Sequence, residues 1–136
     1  MTIEGSIEAA LFARVASLVL SPAMPVAWPN LSFEPVLTGY LMVTHLPNGN
    51  RRMFIGSGEP HQRLGLLQVS VFSPKNKGPT SATEMAGKVA EHFPCDLKLV
   101  SGDVSVRVTK APDVIQAMAN DPFWHVPVRI PYECWA

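Results

Sequence analysis

An excess of charge of either sign is missing from this sequence: eleven lysines and arginines meet eleven aspartates and glutamates in 136 residues. A dedicated nucleic-acid binder needs a one-sided basic surface, so neither DNA as a primary ligand nor sequence-specific nucleic-acid recognition is expected. Cysteine is scarce. Cys95 and Cys134 stand far apart in no metal-like spacing, which predicts a reduced pair. Long apolar runs are also missing. The stretch Val15 to Leu20 is interrupted by Ser17 and followed by Ser21-Pro22, far short of the ~20 residues that span a bilayer. The first residues, Met1-Thr-Ile-Glu-Gly-Ser-Ile-Glu, are acidic rather than basic, unlike a secretion signal. The expectation is a protein made and used without crossing a membrane. Charged residues in total make up only 16% against 47% apolar. That balance argues against disorder and predicts surface buried against other subunits. The length suits a single domain over residues 1–136, with roughly two thirds of its unfolded-chain surface buried.

Ile3, Ile7, Leu11, Val15 and Leu18 recur at spacings of four and three, predicting a helix from Thr2 to Leu18 with Thr2 as its cap. Pro22, Pro25 and Pro29 then forbid helix, making residues 21–36 an extended connection whose one bulky anchor is Trp28. Trp28 either plugs the edge of its own core or anchors a neighbouring subunit. Alternation from Leu37 to His45 and from Leu66 to Phe72 predicts two antiparallel strands. Between them lies a long, mobile, locally basic loop carrying Arg51, Arg52 and Arg63.

Ser81-Ala-Thr-Glu84 has the form of a capping box, and Ala82, Met85, Ala86, Val89, Ala90 and Phe93 describe a buried helical face that Pro94 terminates. Lys88, Glu91 and His92 are left for solvent. A short strand around Leu97 to Val100, the turn Ser101-Gly102-Asp103 and an alternating strand Val104 to Val108 follow. A helical turn is expected over Asp113 to Ala119. In the last segment Trp124, Val126, Val128, Ile130, Tyr132 and Cys134 share one face of a strand. Pro127 and Pro131, four residues apart, delete donors along one border, which predicts an edge strand.

Chemistry finds no obvious seat. His92-Phe-Pro-Cys95 lacks a second close pair to complete a metal site, and a helix-terminal His92 is explained by the helix dipole. Cys95 with His92 or His125 would need a base in reach and an orienting third group; a small apolar filler is the simpler reading of Cys95. Gly56-Ser-Gly58 is too short for a phosphate loop. Asp96, Asp103, Asp113 and Asp121 all occupy turn or cap positions. Arg51, Arg52 and Arg63 are the best functional candidates, as bidentate partners for carboxylates across an interface.

The order of elements, with Gly65-Leu-Leu-Gln-Val-Ser-Val, Pro74, Gly78-Pro79, His92-Phe-Pro94, Val104-Ser-Val-Arg-Val and Trp124-His-Val-Pro-Val-Arg-Ile-Pro-Tyr132, resembles the phage tail terminator-like family. The likeness runs from the first helix to Trp135. It implies an α+β fold, with a mostly antiparallel or mixed sheet of about four to five strands packed against two helices. It also implies a non-enzymatic virion protein without cofactor, made in the host bacterial cytoplasm. A hexameric ring of such subunits would cap the head-proximal end of the tail tube, stop its polymerisation and dock the head connector. On that reading the Arg51, Arg52 and Arg63 loop meets the tail tube or a neighbouring subunit, and Trp28 packs at the inter-subunit seam. Another head–tail joining ring protein, or a small Cys/His-dependent hydrolase, are the alternative readings.

Overall fold

Thirteen residues of alternating pattern at the end of the chain and thirteen in its middle find each other and organise the rest. The computed structural model describes residues 2–20, 23–76 and 78–136. Its elements are helix α1 (Ile3–Ala16), strands β1 (Val26–Ala27), β2 (Tyr40–Arg51) and β3 (Gln62–Pro74), and helix α2 (Thr80–Glu91). Strands β4 (Lys98–Ser101), β5 (Val104–Val108), β6 (Asp113–Val114), β7 (Met118–Asn120) and β8 (Phe123–Trp135) follow. All eight strands form one mixed sheet in the order β1-β2-β3-β8-β5-β4, with β6 and β7 also paired to β8. The class is α+β as expected, but with eight strands in place of four to five.

Helix α1 forms as its pattern dictates. The Thr2 hydroxyl accepts the Gly5 N–H at 3.1 Å, and Ile7, Leu11 and Val15 are buried. Helix α2 buries Ala82, Met85, Ala86 and Val89, but begins two residues earlier than the capping box requires, at Thr80 in place of Ala82. Pro79 is the N-cap with no side-chain cap bond, so Ser81 lies inside the first turn. Proline at the boundary fixes φ near the value with which a helix can start. Both helices pack on one face of the sheet. That face is built from Leu41 and Val43 of β2, Leu67, Val69 and Val71 of β3, Val126, Val128 and Ile130 of β8, and the three valines of β5.

Strand β8 is not an edge strand. Its even-numbered residues share the core face as the alternation predicts, and β3 pairs with it at every position from Gln62↔Trp135 to Pro74↔Phe123. The other border is patched by β5, β6 and β7. The carbonyls of Pro127 and Pro131 accept from Ile115 at 2.9 Å and Thr109 at 3.1 Å on that side. N–H and C=O of one strand residue point the same way, so both missing donors fall on the segmented border while the β3 ladder stays whole. The same demand explains why Asp113 to Ala119 holds two short strands instead of a helical turn. Unpaired β8 groups need partners, and that need overrides the helix propensity of the alanine- and methionine-containing segment.

The first hairpin also differs from expectation. Strand β2 begins at Tyr40, after Gly39 at φ +115°, and runs through a register shift between Pro47 and Asn50 to Arg51. Leu37 is therefore outside it. The loop shrinks to residues 52–61, and Arg63 belongs to β3. Within the proline-rich connection, Val26 and Ala27 pair in parallel with Leu41 and Met42. Pro22, one of the prolines expected to hold that stretch extended, lies outside the described residues.

Gly65 faces Tyr132 across the ladder, and a Cβ at this position would overlap the Tyr132 ring and hydroxyl. Gly65→Val is therefore expected to destabilise the fold by about 1–3 kcal/mol through overpacking, read as a lowered melting temperature. An unchanged melt would mean that the tyrosine ring moves aside freely.

Candidate functional site

The candidate surface is built from the β2–β3 hairpin tip and from the chain around Trp28. Arg51 closes β2 opposite Gln62. Arg52 opens the loop and folds back: its Nε donates to the Phe54 carbonyl at 3.1 Å and its terminal nitrogen to the Ile55 carbonyl. The base of the loop is stitched to the chain end, with His61 and Ala136 exchanging N–H···O bonds of 2.9 and 3.1 Å. The loop is thus braced at both ends, and it presents Met53, Phe54 and Ile55 to solvent, Ile55 being 96% exposed. Phe54 also approaches Trp135 at 6.2 Å between ring centroids.

Arg63, grouped with the loop arginines on sequence grounds, points elsewhere. It lies on the helix-backed face opposite Cys134, pairs with Glu4 of α1 at 2.6 Å and donates to the Ala136 carbonyl at 3.3 Å. The three arginines therefore do not converge. Trp28 is half-buried, its ring 5.3 Å from that of Phe12 in α1. One side of it plugs the chain's own core. Its other side walls an open apolar groove of about 320 Å³ with Leu31, Phe33 and Met42. A second open groove lies between Trp28, Leu31 and the Phe12–Ala16 side of α1.

The titratable groups form structural pairs. His45 Nε2 lies 2.6 Å from the Tyr132 hydroxyl, and its Nδ1 is 4.0 Å from a Glu8 carboxylate oxygen. The carboxylate favours the tautomer with hydrogen on Nδ1, so the tyrosine donates to Nε2. Burial lowers the His45 pKa against the opposing pull of Glu8, and burial followed by the nearby Cys134 and Glu8 pushes Tyr132 up to about 12. A tyrosine held protonated beside a neutral imidazole is a hydrogen-bonded pair, not a nucleophile and its base. His92 is not left for solvent. Its Nε2 meets the Arg14 carbonyl and Ser17 hydroxyl at 2.9 Å, while Arg14 Nε returns a bond to the His92 carbonyl at 2.9 Å. The C-terminal ends of the two helices cap each other.

Cys95, expected to be an apolar filler, is exposed, with its Sγ 3.8 Å from the Thr109 carbonyl; Cys134 is the buried one, and both are free. Among the described residues no three His, Cys, Asp or Glu side chains gather as metal ligands, and no helix is long and apolar enough to cross a membrane. Sequence reasoning missed the exposed Met53-Phe54-Ile55 triplet. Its signal was three consecutive large apolar residues inside a stretch otherwise rich in glycine, proline and asparagine.

This geometry defines a class: an α+β protein with one sheet face closed by helices and apolar features left open elsewhere. The chain belongs to the phage tail terminator protein family, whose pattern matches residues 6–132. That membership makes it a structural protein of the virion tail. One solved structure, named by a sequence identifier alone, is 30% identical, covers 96% of this chain with 94% of its own, and superposes with a TM-score of 0.76. A chain from the virion of a native gene transfer agent (GTA) particle superposes with a TM-score of 0.65 over 99% of this chain and 98% of that one. At 11% identity this is a likeness of fold. No curated protein matches the sequence.

Two predictions follow from the side chains. A mild thiol reagent should modify one thiol per folded chain, at Cys95, and two after unfolding. Labelling of both thiols in the folded state would contradict the burial of Cys134. His45, His92 and His125 all have pKa values lowered by burial, His92 also by the Arg14 charge. The unfolded chain then binds more protons below its ordinary histidine pKa of ~6.5, so stability is full above that pH and falls on acidification. His125 stacks on Phe72 at 4.4 Å with its Nε2 buried and unpartnered. His125→Phe should keep the stack and make the fall in melting temperature between pH 7 and 5 shallower; an unchanged slope would remove His125 from that account.

Proposed function

We propose that this chain is the tail terminator of its particle: copies close into a ring of six on the head-proximal end of the tail tube. The ring halts addition of tube subunits and offers the surface on which the head connector or stopper docks. The family match across residues 6–132 carries this reading. The physical features support it. A ring requires a heterologous interface, in which each copy contributes two different surfaces, and the hairpin tip and the Trp28 grooves are two different apolar surfaces of one chain. Total charge is low, at 16% of residues, as suits a subunit that buries much of its surface. Binding and blocking need no cofactor and no turnover.

On this reading Trp28 lies at the inter-subunit seam, and Arg51 and Arg52 contribute from the hairpin. Arg63 serves the fold by tying β3 to α1 through Glu4. The test is negative-stain imaging with mass analysis of the purified protein, alone and mixed with its tube protein. Six-membered rings, or caps at one end of shortened tubes, are expected. A monomer that never touches tubes would overturn the proposal, and a ring found directly beneath the portal would make the protein a connector or stopper instead.

A further inference from the structure

The two open apolar features have opposite curvature and lie at opposite ends of β2. The convex one is the hairpin tip. Arg52 holds the carbonyls of Phe54 and Ile55, so the backbone that displays Ile55 is set before any partner arrives. Order of this kind reduces the entropy lost on binding. The concave one is the groove of about 320 Å³ floored by Met42 and walled by Trp28 and Leu31, with Leu31 68% exposed and Met42 39% exposed. An exposed isoleucine at 96% and an open groove lined by a half-buried tryptophan are each costly to leave in water.

The tip cannot fill the groove of its own chain. From Thr44 at the groove to Arg51 at the foot of the tip, β2 covers about 23 Å at ~3.3 Å per residue. The charges at the two places are opposite. Arg51 and Arg52 stand at the foot of the tip and Glu34 on the groove's rim, between the lining residues Phe33 and Pro35; none of the three has an ion-pair partner among the described residues.

We infer that the Met53–Ile55 tip of one copy seats in the Trp28–Leu31 groove of the next copy, with Arg51 and Arg52 facing Glu34 across the seam. The inference rests on the ring reading and names its subunit contact. Because the donor and acceptor surfaces differ and sit a strand's length apart, each copy can pass the contact onward. Passed head to tail the contact generates a closed ring or an open chain of copies, whereas two copies exchanging tips reciprocally would stop at a two-fold dimer; the ring reading requires the head-to-tail arrangement.

Two exposed-site variants test it. Ile55→Asp spoils the tip and leaves the groove; Leu31→Asp spoils the groove and leaves the tip. Both should melt like the wild type. Each variant, the wild type and an equimolar mixture of the two variants are examined by native mass spectrometry and sedimentation, with and without tube protein. The expected result is rings from the wild type, association weakened at least tenfold in each variant alone, and dimers containing one copy of each variant in the mixture, with nothing larger. One intact tip meets one intact groove there, and both outer ends are dead. Rings from either variant at the wild-type concentration would overturn the inference while leaving the ring reading intact, as would a mixture that stays monomeric. Rings of Ile55→Asp that no longer bind tubes would assign the tip to the tube protein. A wild type that forms no ring with or without tubes would overturn the ring reading itself.

Discussion

The antiparallel pairing of β3 with β8 is the constraint on which the rest of the molecule depends. It runs unbroken from Gln62↔Trp135 to Pro74↔Phe123 and places Leu67, Val69 and Val71 beside Ile130, Val128 and Val126. A slip of one residue would turn that whole apolar set away from the helices. Gly65 under Tyr132 reinforces the register, because the aromatic ring needs a position without a Cβ and finds one only there. Its hydroxyl then reaches His45 of β2, tying a third strand to the same alignment.

Once the register is set, the two faces of the sheet have different fates. The helix-backed face is closed: α1 and α2 cover it, and Arg14 and His92 join their C-terminal ends by exchanged hydrogen bonds. Tyr40, Phe72 and Phe123 with Ala27 form a small aromatic cluster on the opposite face, and Phe33 from the connection packs on it. The cluster protects one end only. Toward the hairpin, Met42 and Leu46 remain exposed on that face and Met53, Phe54 and Ile55 at the tip. A sheet finished on one side and unfinished on the other suits a protein whose work is to join others, as membership of a virion tail family requires.

Much of this was legible from residue pattern. Thr2 as a cap, the stripe from Ile7 to Val15, the buried face of α2 and the even-numbered face of β8 all follow from local periodicity, because a side chain's position relative to its neighbours three, four or two places away is a local matter. Pro127 and Pro131 were legible in half. The loss of donors along one border is covalent fact, but whether that border faces water or three short strands depends on chain segments distant in sequence. Asp113 to Ala119 misled for the same reason, since its local preference yielded to unpaired groups on β8. Arg63 illustrates the limit for the candidate site: its neighbours in sequence suggested a loop, and its neighbour in space is Glu4, 59 positions away.

Residue order and composition suffice for the set of amphipathic elements and their inward faces, along with the low and balanced charge that favours association. Tertiary structure alone decided which strands stand in the middle of the sheet, which arginines remain available, and where apolar side chains are left without cover. The reason is that hydrogen-bond satisfaction and burial are properties of the whole assembled sheet. Each β8 carbonyl, each arginine and each exposed isoleucine has its role set by which distant residues occupy the space beside it.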